Sequence, residues 1–215
     1  GNPLYDEYRS VPQTDEGIKA YAKYAAFLAE QYKGKIKAIE IWNEYNIAPF
    51  NPNMLDAEHY VKMLKACYQE IKKVNPDIPV IGIDCAGVDI DFMKKVFDAG
   101  GYEYMDVVSV HPYYVYKEQR FDDQEWAKWV LEVKDLMKQY GEPKEIWLTE
   151  VGWPTHKTEE RTDMLQYTDE QQGKYQTRMY MTCRANDFGE RIFMYGFEEK
   201  GVQLGNPEHH FGIVR

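Results

Sequence analysis

Short apolar runs alternate with amphipathic stretches along the whole chain, and this alternation restricts the fold more than any other feature. The runs are IKAIEIW ending at Trp42, PVIGID ending at Asp84, DVVSV ending at Val110, EIWLT ending at Thr149 and RIFMYGF ending at Phe197. Each is strand-sized and largely apolar, the pattern of a strand covered on both faces. Helical periodicity fills the intervals, over about 15–32, 56–75, 91–99, 123–140 and 169–186. Thr14 or Asp15 can cap the first helix, Asn75-Pro76 closes the second, and Gly100-Gly101 and Gly141 stop the third and fourth. Strands alternating with helices predict a parallel sheet with helices packed outside it. The 215 residues make one such domain.

Two architectures have this alternation: an open doubly wound sheet and a barrel. The first usually carries a glycine-rich turn after a strand. Here the nearest candidate, Gly82-Ile83-Asp84-Cys85-Ala86-Gly87, lacks the required glycine spacing, and no phosphate-binding loop motif is present. A barrel instead gathers its chemistry at the C-terminal ends of several strands. That is where this chain's unusual polar residues fall, so the expected fold is α/β, a (β/α)8 TIM barrel.

Composition narrows the partners. Acidic residues outnumber basic ones by 36 to 26, for a net charge of −10, which disfavours binding a phosphate backbone. No apolar run is long enough to span a bilayer, so no membrane partner is expected. Cys67, Cys85 and Cys183 form neither a disulfide framework nor a zinc signature, and read as small buried apolar residues. His156, His209 and His210 read as loop residues, and no helical His pair points to a metal. No cofactor is expected.

Two strands run straight into a carboxylate. IKAIEIW continues as Asn43-Glu44-Tyr45-Asn46, and EIWLT continues as Glu150-Val151-Gly152-Trp153. Glu is unfavourable in strands and seldom buried without a partner, so each one needs either an ion pair or a chemical role. The two are far apart in sequence and meet only if their strands share one rim. Paired carboxyl groups about 5–5.5 Å apart are what retaining glycoside hydrolysis requires. The aromatic content of 15% provides rings on which sugar faces can stack, although cores use the same residues.

These segments resemble the clan A glycoside hydrolases, particularly family 39 and related endoglycosidases. Asn43-Glu44 resembles the end of that clan's fourth strand, His111-Pro112-Tyr113 the sixth, Thr149 to Trp153 the seventh, and Asn206 to Gly212 the segment after the eighth. The order holds from end to end. The resemblance implies Glu150 as nucleophile and Glu44 as acid/base, with Asn43 bonded to the sugar 2-hydroxyl. Tyr113 would steady the nucleophile and His111 would support the Asn43 or Glu44 side. Trp153 would be either a subsite platform or a loop anchor. Met194 aligns with the clan's strand-eight Trp, and Tyr195 is its substitute in the cleft. An oligo- or polysaccharide substrate follows, and secretion is that family's habit.

The resemblance also implies that the chain covers strands four to eight, about five of the eight units. Gly1 to Asp6 resembles the loop after strand three, and the last helix would follow Arg215. Five strands cannot close a barrel. A complementary chain supplying strands one to three is therefore a further expected partner. Three other readings compete with hydrolysis: a carbohydrate-binding protein without turnover, transfer of the glycosyl unit to another sugar, and a fragment that folds only with its complement.

Overall fold

The computed structural model describes residues 10–115, 120–157 and 164–214. Five helices, α1 (Asp15–Gln31), α2 (Ala57–Val74), α3 (Ile90–Asp98), α4 (Asp123–Met137) and α5 (Asp169–Asn186), alternate with five strands. The strands are β1 (Ile39–Glu40), β2 (Val80–Ala86), β3 (Val107–His111), β4 (Glu145–Val151) and β5 (Ile192–Met194). All neighbouring pairs are parallel, in the order β1-β2-β3-β4-β5. A doubly wound sheet reverses strand order at a switch point, whereas a barrel adds each strand beside the last. The unreversed order, with the sheet curled, makes this part of a (β/α) barrel. Gly1 to Asp6 and Arg215 lie outside the described residues.

Local chemistry accounts for the helix starts. Thr14 caps α1 through its side chain, and Asp56, Asp89 and Asp122 cap α2, α3 and α4. Thr168 and Gln171 bond each other's backbone reciprocally at the start of α5. The helices bury one face each against the sheet, with Tyr60, Met63, Leu64, Cys67 and Ile71 of α2 and Trp126, Val130 and Val133 of α4 almost fully covered. All three cysteines are buried and free.

Two strands are shorter than the sequence predicts. The first keeps only two residues, because Trp42 turns to φ +78° directly after Ile41 and ends the extended run. The last ends at Met194, where the Tyr195–Gly196 peptide is cis.

The other face of the strands carries a layered interior. Ile81, Val107 and Trp147 form a separate apolar plug with Ala38. Two residues on from Ala38, Val107 and Trp147 the same face presents Glu40, Ser109 and Thr149, since side chains alternate with a period of two. A polar layer therefore lies between the plug and the C-terminal rim.

Candidate active site

The C-terminal ends of β1, β3 and β4 bring Glu44, His111 and Glu150 together. One donor atom from each lies within 4.8 Å of the others. His111 Nδ1 is 2.9 Å from Glu44 Oε1 and 3.7 Å from Glu150 Oε2, while its Nε2 is 2.7 Å from Asp84 Oδ1. The Tyr113 hydroxyl donates to Glu150 Oε2 at 3.1 Å. His111 is 1% exposed and Glu150 31%, so the imidazole forms the floor and one carboxylate reaches the opening.

Glu44, Tyr113 and Glu150 line a cleft of about 620 Å³ together with Ile47, Phe50, Trp129, Tyr195, Glu208 and Phe211, and the buried His111 lies beneath them. A larger depression of about 750 Å³ lies between α4 and α5, lined by outward residues such as Lys128, Glu132 and Asp135. It contains none of the converging carboxylates, so the chemistry belongs to the smaller cleft.

Three carboxyl groups, those of Glu44, Asp84 and Glu150, surround the one imidazole. Burial alone would depress His111, but Asp84 and Glu44, with Glu150 behind them, outweigh it and raise the imidazole to about 10. Each ring nitrogen thus faces a carboxylate, Nδ1 that of Glu44 and Nε2 that of Asp84. Glu44, His111 and Glu150 are also spaced as metal ligands would be. Burial raises Glu150; the imidazolium and the Tyr113 hydroxyl oppose that rise, and Glu44 adds to it. Burial and the neighbouring Glu150 push the Tyr113 hydroxyl well up, so it remains a donor.

Beneath the floor, burial and the charge of Asp84 raise Glu40 to about 7. A raised carboxyl binds a proton in the folded chain that the unfolded chain releases. Its contribution to stability is therefore complete below the ordinary value of 4.5 and falls as pH rises through about 7. The Glu40→Gln variant is expected to lose less stability than the wild type between about pH 5 and pH 8. Urea midpoints at the two pH values check this; equal losses in both proteins would remove Glu40 as the cause. Part of the loss should persist in the variant, because above 6.5 the unfolded chain releases a proton that folded His111 keeps until about 10.

Not every sequence expectation reaches the cleft. Trp153 is a correction: its ring is fully buried against Phe121 and Tyr175, so it has no face to offer a sugar and acts as a loop anchor. Asn43 is half-buried beside Glu44 and is not among the residues lining the cleft. Tyr195 does line it, held by its hydroxyl to Glu208 at 2.7 Å and to Lys200 at 2.7 Å. Met194 is not among the lining residues. His210 pairs with Glu199 at 2.8 Å, and His209 accepts from the Gln203 backbone.

Four participants were not singled out from the sequence: Asp84, Glu40, Trp129 and Glu208. The first two were signalled as acidic residues within buried strands, the same signal that marked Glu44 and Glu150. Trp129 follows from helical periodicity only as an inward residue, and Glu208, in the short 3-10 turn Pro207–His209, lies inside the Asn206 to Gly212 segment without having been given a role of its own.

Neither a protein-family model nor a curated protein sequence matches the chain. Solved structures do. A family 39 glycoside hydrolase from the gut symbiont Bacteroides cellulosilyticus WH2 aligns with a TM-score of 0.76 at 25% identity, over 98% of this chain and 43% of that one. A monomeric β-xylosidase from Caulobacter crescentus CB15 aligns at 0.67 and 16%, over 96% of this chain and 44% of that one. A family 17 β-1,3-glucanosyltransferase from Rhizomucor miehei aligns at 0.64 and 13%, over 93% and 67%. The resemblance to clan A glycoside hydrolases thus extends across nearly the whole chain, which spans less than half the length of the first two relatives.

Proposed function

We propose that this chain carries the catalytic rim of a retaining glycosidase acting on β-linked glycans. The observation that carries the reading is the approach of the Glu44 and Glu150 carboxylates to within 4.8 Å on the floor of an aromatic-lined cleft. Retaining hydrolysis uses carboxyl groups about 5–5.5 Å apart, whereas inversion needs about 6.5–9.5 Å to admit a water between them. Glu150 attacks the anomeric carbon and forms a glycosyl ester while Glu44 protonates the departing oxygen. Water, deprotonated by Glu44, then attacks the same carbon from the face the leaving group vacated and releases Glu150.

The surroundings support that division of roles. Tyr113 bonds the Glu150 oxygen that lies nearest His111, which leaves the other oxygen to attack. His111 donates to Glu44 Oε1, leaving Glu44 Oε2 to hold the proton that is transferred. Transfer of the glycosyl unit to a second sugar would use the same two steps with a different acceptor. Among the described residues the five-stranded sheet is open at β1 and β5. Phe193, Phe197 and Val202, at and beyond the β5 edge, are 50%, 71% and 90% exposed. We include closure by further βα units, in the same or a complementary chain, in this reading.

The test is labelling with a panel of 2-deoxy-2-fluoro glycosyl fluorides, followed by peptide mass spectrometry. A label on the peptide holding Glu150 is expected, and the sugar that reacts identifies the substrate class. A folded protein that takes no label from any sugar would sink the retaining reading.

A further inference from the structure

Asp84 stands at an irregularity in the sheet. Between Gly82 and Cys85 the β2–β3 register shifts, and Ile83 and Asp84 adopt φ of +83° and +45°. A β-branched residue at positive φ is a genuine outlier and persists only where its surroundings hold it. Here Ile83 N donates to the Tyr60 hydroxyl at 2.9 Å, and Asp84 N donates to Ser109 Oγ at 3.1 Å. The bulge turns the Asp84 carboxylate into the interior, where it is 2% exposed and 2.7 Å from His111 Nε2. The Asp84 carbonyl points elsewhere, accepting from Glu44 N at 2.8 Å.

Glu44 is thus held at both ends by one residue. Its backbone hangs from the Asp84 carbonyl, and its carboxylate rests on the imidazole that Asp84 clamps from behind. Glu44 needs this restraint, since it sits at φ +46° in a turn with no strand ladder around it. We propose that Asp84 is the positioning residue for Glu44, acting through the main chain on one side and through His111 on the other. The proposal rests on the assignment of Glu44 as acid/base and adds to it the residue that fixes its placement.

The charged and titratable groups around His111 are Glu40 below it, Glu44 after β1, Asp84 on β2, Tyr113 after β3 and Glu150 on β4, with Tyr60 behind Asp84 and Tyr195 across the cleft. Among the described residues, only Asp84 faces Nε2 closely. Removing its charge should therefore act on His111 more than removing any other.

The experiment is nitrogen NMR of the histidine-labelled chain, wild type and Asp84→Asn, with Glu44 carboxyl carbon shifts and the rate of fluoro-sugar labelling measured on the same samples. In the wild type both His111 nitrogens should carry protons through neutral pH. Asp84→Asn should bring the His111 titration down into the neutral range, move the Glu44 carboxyl signal, and slow labelling by roughly 100-fold, the scale of a small misplacement of a catalytic group. A residue with only a structural role would lower stability without moving the His111 titration or the Glu44 carboxyl signal. An unchanged His111 titration in Asp84→Asn would overturn the proposal. So would a wild-type His111 with a single ring proton at neutral pH, a result that needs no variant to fold. If the wild type takes no label, the hydrolase reading fails, and the NMR signals alone decide whether Asp84 governs Glu44 through His111.

Discussion

On the proposed mechanism, replacing Glu150 by Gln is expected to lower glycoside turnover by about four orders of magnitude or more, the scale seen when a covalent nucleophile is removed. The amide keeps the shape and the Tyr113 contact but has no charge with which to attack. The loss should be independent of the leaving group, because formation of the ester precedes everything else. Glu44→Gln should behave differently. It removes a proton donor, an effect of about 10²- to 10⁴-fold. That deficit should shrink for substrates whose leaving group departs without protonation. Steady-state kinetics with a good and a poor leaving group on the same sugar distinguish the two residues. If Glu44→Gln and Glu150→Gln lose activity in parallel on both substrates, the division of roles is wrong.

Much of this site was legible because a parallel strand buried on both faces leaves no ordinary reason for a carboxylate at its end. Glu44 and Glu150 violate the apolar pattern of IKAIEIW and EIWLT so plainly that geometry had only to bring them together. The same reasoning applied one strand over would have found Asp84 at the end of PVIGID, and within a strand it would have found Glu40. They were passed over because alternation in a barrel interior is invisible until the curl shows which face is enclosed. Trp153 fails for the opposite reason. Its neighbours in sequence say only that it follows the Glu150 strand, while its burial depends on Phe121 and Tyr175 from elsewhere in the chain. The early end of the first strand at Trp42 was equally hidden, since a positive φ at a bulky residue follows from what surrounds it and not from its propensity.

His111→Gln should test how the interior tolerates so much acid. His111 is the cation at the centre of Asp84, Glu44 and Glu150, with Asp84 2% and Glu44 13% exposed. Removing the cation leaves buried carboxylates unbalanced, a change that costs about 3–5 kcal/mol when one member of a buried pair is deleted. The deficit should depend on pH in a definite direction. In the wild type the imidazole's contribution is complete below its ordinary 6.5 and is lost as pH rises through about 10. In the variant the carboxyls around the gap titrate higher when folded than when unfolded, so its stability grows as pH falls and protons replace the missing charge. The gap between the two proteins should be widest near neutrality, narrow toward acid, and narrow again toward the alkaline limit where the wild-type ring loses its proton. Urea unfolding across that range measures it. A gap that stays constant with pH would mean that His111 contributes packing alone, and the electrostatic account of the floor would have to be abandoned.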